Sequence, residues 1–307
     1  MLPPAEFARQ LLKEAEDTHP WLHHPLFHSI WEGKLSRDQV RDIIRQQGAF
    51  FLDTLRHAAW KIISAGGAMP TWEDLQRQRS LIPLVVEEGG EDTIGGTQTG
   101  HSILFVRMYE ALDFTLDEVF NTDYLPTTII EKDELFALQR AGTIEALCGG
   151  NIATESINAT HVGRMAQALE KHYGVPKSSL DFYYVHAHIE EDHRDRAVRI
   201  LTDLCVTEAA QNTGLSAMRR AITARRICVD GLMEAYVTNH CWFAPPYGRN
   251  RRPRRDPPAR HHRRQEGRRI SISDRLPLRP CDVPRRLRHA GDQLHSAIDG
   301  QGMESPA

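Results

Sequence analysis

Along the first 240 residues apolar side chains recur every three to four positions, and alternation of apolar with polar never lasts more than a few residues. That rhythm predicts an all-α domain. A short amphipathic helix is expected over residues 5–17. The passage His19-Pro20-Trp21-Leu22-His23-His24-Pro25-Leu26-Phe27 then sets helix-breaking prolines among aromatics suited to docking on a core. Ser36 opens a capping box with Gln39, and Val40, Ile43, Ile44, Phe51 and Leu55 carry one helix to about Ile63. Gly66-Gly67 and Met69-Pro70 end it. Further helices are expected over 71–86, from His101 through Leu112, over 133–173 with a bend at Gly149-Gly150, from Ser178 or Ser179 to about Cys205, and over 207–236. The total is about seven helices, with no internal repeat.

Ionisable residues interrupt the apolar stripes at a few places. His186, Glu190 and His193 fall at i, i+4 and i+7 of one helix face, in line with Phe182, Ala197, Ile200 and Leu204. Two imidazoles and a carboxylate set in such a stripe favour a bound cation, since buried charge is costly unless paired. The competing reading is a solvated face, because Glu191, Asp192, Arg194, Asp195 and Arg196 lie nearby. A rival register pairs His188 with Asp192 on a face that has little apolar surface. Glu155 is the one charged member of the stripe Ile144, Cys148, Asn151, Glu155, Ala159 and Val162. His161 lies about 120° round the helix from it and is read as a non-ligand. The segment from Glu87 to Gly96 holds four glycines and four acids, which predicts a flexible acidic loop ahead of His101.

The inward-aimed set is Glu87 or Glu88, His101, Glu155, His186, Glu190 and His193. It draws three carboxylates and three imidazoles from three or four helices. Zinc prefers fewer ligands, richer in nitrogen or sulfur. A carboxylate-rich set without Cys suits iron or manganese, and six ligands with bridging carboxylates suit two ions. Ferritin-like sites use two Glu-x-x-His pairs. Only Glu190-Glu191-Asp192-His193 has that form, which argues against a ferritin-like arrangement.

Charge is unevenly spread. Residues 241–307 hold 15 Arg, no Lys, 7 acidic residues and 9 of the 17 prolines, for a net +8, against −11 for the rest. The chain therefore divides into a globular acidic domain, 1–240, and an Arg/Pro-rich extension, 241–307, expected to be disordered. Nucleic-acid or acidic-partner binding through that extension is the non-enzyme alternative. Its lack of interleaved aromatics and of a folded module counts against a specific nucleic-acid role. No apolar run approaches a membrane span. The start Met1-Leu2-Pro3-Pro4-Ala5-Glu6 lacks a secretion-signal pattern, and Cys148, Cys205, Cys228, Cys241 and Cys281 form no C-x-x-C pair. These features predict a cytoplasmic protein without a disulfide framework.

The chain resembles the heme-oxygenase-like di-metal oxidases, relatives of the TenA and PqqC-like helical enzymes, over about residues 19–235. The opening His24-Pro25-Leu26-Phe27 … Trp31-Glu32-Gly33-Lys34-Leu35-Ser36 … Gln39-Val40 is similar to that superfamily's. Glu87-Glu88-Gly89-Gly90 … His101-Ser102-Ile103-Leu104 matches its Glu-Glu-x-Gly … His-x-x-Leu pattern, and Glu155 its mid-chain Glu. Tyr183-Tyr184-Val185-His186 … Glu190 … His193, preceded by Phe182, matches its last motif, with Glu190 where the family usually has Asp. The spacing before His101 leaves the first carboxylate open between Glu88 and Glu87. It also places Glu91 as a further carboxylate, a feature that resembles the N-oxygenating members.

The resemblance implies a heme-oxygenase-like bundle binding two Fe(2+) per chain, with O2 as co-substrate. It implies a non-heme diiron oxidase that oxidises a small amine-bearing metabolite, with N-oxygenation to hydroxylamine or nitro products in natural-product biosynthesis as the expected outcome. The metal set would be Glu88, Glu91, His101, Glu155, His186, Glu190 and His193, and Phe182, Tyr183 and Tyr184 would shape the substrate pocket. An electron donor or reductase and a second copy in a homodimer are the expected partners. Alternatives are oxidative decarboxylation or C–C cleavage, a cofactor-free TenA- or PqqC-like enzyme, and a heme oxygenase with an axial ligand among His23, His24 and His28.

Overall fold

The computed structural model describes residues 1–66, 69, 71–90 and 99–238; within 188–193 it describes the helical backbone and no side chain. Among the described residues every regular element is helical, and none is long and apolar enough to cross a membrane. The extension 241–307 lies outside the described residues.

The first helix, α1, spans Pro4–Thr18 and buries Phe7, Ala8, Leu11 and Ala15. The prolines that follow start helices instead of breaking them. Pro20 opens α2 (Pro20–His23) and Pro25 opens α3 (Pro25–Trp31), each at the position where a missing N–H costs nothing. The ring nitrogens of His19 and His24 accept from the backbone N–H of Trp21 and Leu26, both at 3.1 Å, and so cap these turns. Trp21 and Phe27 dock on the core.

Ser36 and Gln39 form the expected capping box at the start of α4 (Arg37–Phe51). The single helix foreseen to Ile63 is broken at Leu52-Asp53, and α5 covers Thr54–Ser64. The break re-aims the second half, so that Thr54, His57, Ala58 and Lys61 are buried. Thr71 and Asp74 form a second capping box at the head of α6 (Trp72–Gly89). Then come α7 (His101–Ala111), α8 (Leu116–Phe120) and α9 (Pro126–Ala141).

The long helix expected over 133–173 is interrupted instead. After α9, Gly142 is extended, α10 covers only Thr143–Ala146, and a π-helical stretch runs from Leu147 to Glu155. Every residue from Ala146 to Thr154 is buried, since α1, α9, α12 and α13 surround this stretch. Gly149 and Gly150 make room for it: a Cβ on Gly149 would lie 2.8 Å from Leu138 Cδ1, and one on Gly150 3.2 Å from Lys61 Cε. Ordinary α geometry resumes in α11 (Ser156–Tyr173).

A 3-10 turn at Lys177–Ser179 leads into α12 (Asp181–Leu204), whose N-cap position is Leu180, so neither Ser178 nor Ser179 caps it. Thr207 caps α13 (Glu208–Met233), and a π-helical turn, Glu234–Thr238, follows. The longest helices pair as α12 on α11 and α13 on α9. The core between them, with α5, α6 and α7, is where the polar cluster sits.

Candidate metal centre

Glu88 occupies the last turn of α6, His101 the first residue of α7, and His186 the second turn of α12. Their ligand atoms all lie within 4.8 Å of one another. Glu88 Oε2 is 3.1 Å from His101 Nδ1, and the rings of His101 and His186 are 4.6 Å apart, centre to centre. His101 is 1% and His186 5% exposed.

Local backbone chemistry makes this meeting happen. Gly90 ends α6 at φ +102°, and a Cβ there would lie 2.3 Å from the Gly100 nitrogen. The two strands of the loop neck therefore touch, which returns the chain beside Glu88 so that His101 can start α7 against it. Only glycine combines that φ with that approach. His186 is oriented by its own helix. Its Nδ1 donates to the Phe182 carbonyl at 2.7 Å, which leaves Nε2 as the donor atom for an ion. Phe182 packs against the imidazole from behind, ring centres 4.3 Å apart.

Burial by itself would raise the Glu88 carboxyl. The hydrogen bond and charge of His101, the charge of His186 and a bond from Thr54 outweigh it, and the pKa falls to about 2. The carboxylate is thus ionised at neutral pH. A mixed set of one carboxylate and two imidazoles fits iron, which takes both donor types. Ligand bonds of ~2.0–2.2 Å hold two donors on one ion no more than ~4.4 Å apart, so the cluster needs only a slight contraction to close on a cation.

A cavity opens beside the cluster. Glu88 and His186 stand at one side, Phe50, Phe51 and Leu84 supply apolar walls, and Glu155 and Lys61 face into it as well. Glu155, at the end of the π-helical stretch, is not within the three-residue cluster. Its carboxylate is held by Lys61 Nζ at 2.5 Å and by the Asn151 side-chain amide. His57 lines the same cavity, donating through its ring to Gln139, and burial lowers its pKa to about 4 against that bond. It is neutral at pH 7.

The other expected residues fall as follows. Of the two alternatives for the first carboxylate, Glu88 joins the cluster and Glu87 does not. Glu91 lies outside the described residues, as do the side chains of Glu190 and His193, although both sit on the described helix α12. His161 stacks on Trp21, ring centres 4.8 Å apart, away from the cluster. The pocket walls differ from those expected. Phe182 and Tyr183 are buried in the core, and Tyr184 reaches Glu170 at 3.4 Å and Lys177 on the outer side of α12. Phe50 and Phe51 take the place foreseen for them. His23 and His28 are exposed, and both ring nitrogens of His24 are engaged, with Leu26 and with Asp230 at 3.0 Å.

Sequence reasoning missed Lys61, His57, Thr54 and Asn151. A signal existed: Thr54, His57 and Lys61 follow at helical spacing on one face of α5, and Asn151 stands four residues before Glu155. What hid the three α5 residues was the break at Asp53, which rotates that face inward; Asn151 was already in the Glu155 stripe, but not as its hydrogen-bond partner.

The helical bundle has a heme-oxygenase-like fold, and its buried carboxylate–imidazole cluster is a candidate site for a metal ion. The family described as iron-containing redox enzymes matches residues 53–226, more than half of the chain, and the protein belongs to that family. Solved structures share the fold. A heme-oxygenase-like domain from Shewanella denitrificans is 14% identical, with TM-score 0.57 over 78% of this chain and 95% of that one. A CADD-like protein from Nostoc punctiforme is 17% identical, with TM-score 0.60 over 76% and 97%. A TenA homologue from Pseudomonas syringae is 16% identical, with TM-score 0.60 over 74% and 93%. At these identities the likeness concerns the fold. No curated protein matches the chain.

Proposed function

We propose that this protein is an oxygen-dependent non-heme diiron oxidase acting on a small amine-bearing metabolite, with N-oxygenation to a hydroxylamine or nitro group as its outcome. The observation that carries the reading is the buried cluster of Glu88, His101 and His186 opening on a cavity, in a chain of an iron-containing redox family. Glu155, Glu190 and His193 would supply the remaining donors for two ions, with Glu91 as a further carboxylate. When bound, iron supplies electrons and open positions for dioxygen.

The chain's own residues perform the rest. Glu88, ionised at neutral pH, offers negative charge to a cation. The Phe182 carbonyl fixes the His186 tautomer. Phe50, Phe51 and Leu84 give the cavity apolar walls, and an apolar surround strengthens the electrostatic contacts inside it. A neutral His57 adds no charge that would repel an amine.

The test is anaerobic loading with ferrous iron followed by exposure to oxygen, read by metal analysis, oxygen uptake and visible absorption. Two irons per chain and a transient absorption are expected, and an amine screen should then yield hydroxylamine, nitrite or nitro products. A chain that binds two irons yet consumes no oxygen with any amine overturns the reading.

A further inference from the structure

We infer that Lys61 is the anchor for a carboxylate group of the substrate, and that Glu155 occupies this anchor when no substrate is bound. The inference rests on the reading above in one respect, that Glu155 is drawn to a metal ion.

Lys61 is 5% exposed, yet it carries an ammonium group. A buried lysine is kept in a core only when paired. Its partner is Glu155, 2.5 Å away, and both side chains face the cavity that Glu88 and His186 also border. The room for its stem is built in: Gly150 has no side chain, and a Cβ there would press on Lys61 Cε at 3.2 Å. The Glu155 carboxylate cannot serve two masters equally. When it turns toward a cation beside Glu88 and His186, the Lys61 charge loses its nearest counter-ion inside an apolar wall. A desolvated ammonium attracts the next available anion, and a planar carboxylate is the closest replacement for the one that left. The neutral His57 imidazole and the Gln139 amide, four residues and one helix away, supply uncharged hydrogen-bonding groups beside it. The substrate class that fits is an amine that also bears a carboxylate, its anionic end on Lys61 and its other end toward Glu88 and His186.

Hexanoate and its neutral counterpart hexanamide serve as probes, with Co(II) as a redox-inert metal whose visible absorption reports binding directly. Three arms are measured by calorimetry and melting: wild-type protein, Glu155→Gln, and the double variant Lys61→Met/Glu155→Gln. Glu155→Gln without metal should bind hexanoate at least ten-fold more tightly than wild type and should ignore hexanamide. The double variant, in which the charge pair is replaced by uncharged groups of similar size, should lose hexanoate binding. In wild type, Co(II) should tighten hexanoate binding at least five-fold. If Glu155→Gln alone does not fold, hexanoate and not hexanamide should restore its yield and melting transition.

Equal binding of the two probes, or hexanoate binding retained in the double variant, overturns the anchor. Absence of Co(II) absorption in wild type overturns the metal reading instead, and the metal-free Glu155→Gln arm still decides the role of Lys61.

Discussion

Glu88 Oε2 lies 3.1 Å from His101 Nδ1 across a loop whose two ends touch at Gly90 and Gly100. The pair is held by backbone geometry on both sides, and this makes the loop neck as important to the site as the ligands.

Replacing Gly90 with alanine should therefore damage the site without touching a donor atom. The new Cβ would meet the Gly100 nitrogen at 2.3 Å, at a backbone angle that L side chains avoid. A loss of about 1–3 kcal/mol is expected, together with weaker Co(II) binding. Gly163→Ala, in α11 with nothing within 4 Å of the added carbon, should instead stabilise by about 0.5–1 kcal/mol. Urea titration of both variants checks the contrast; equal effects would show that the neck is not strained.

Single alanine replacements of Glu88, His101 and His186 should each reduce iron content sharply while leaving the helical circular dichroism unchanged. Glu87→Ala should retain its iron, since Glu87 is not part of the cluster. Metal analysis after ferrous loading reads this directly, and an iron-free Glu87→Ala would shift the first carboxylate by one residue.

His161 gives the protein an acid-sensitive core. Burial lowers its pKa from 6.5 to about 3. Between those values the unfolded chain takes up a proton that the folded chain refuses, so stability is full above about 6.5 and falls as pH drops toward 3. By pH 4.5 this one group should remove about 2–3 kcal/mol. His161→Gln should melt with a shallower pH dependence over that window; a slope equal to wild type would place the acid sensitivity elsewhere.

The fully buried Arg225 guanidinium is paired with Glu131 at 3.1 Å, donates to Thr154 Oγ1 at 2.7 Å and covers the Trp21 ring at 4.1 Å. Glu131→Ala leaves that charge uncompensated and should cost about 3–5 kcal/mol. Adding Arg225→Met should recover much of the loss, because the charge that needed the partner is gone. A double variant no more stable than Glu131→Ala would mean that Arg225 is kept for packing against Trp21.

Local rules explain which parts of the fold were legible. The Ser36–Gln39 box, the terminators after Ser64 and the Thr207 start are written in neighbouring residues, so periodicity and capping find them. The break at Leu52-Asp53 and the π-helical stretch are not. Both respond to neighbours distant in sequence: Gly149 and Gly150 matter because Leu138 and Lys61 press against them. For the same reason the one-sided stripe expected through Glu155 is replaced by a segment buried on every side.

Sequence by itself determined the helical class, because apolar spacing along a helix decides which side chains share a face, and it named Glu88, His101 and His186 among its candidate donors while expecting Glu88 in a loop and not in the last turn of α6. Only the tertiary structure decided that Glu88 and not Glu87 meets His101, that Glu155 is held by Lys61, and that Phe50 and Phe51 wall the cavity. Those outcomes depend on the angles between helices, which packing sets and local sequence does not encode.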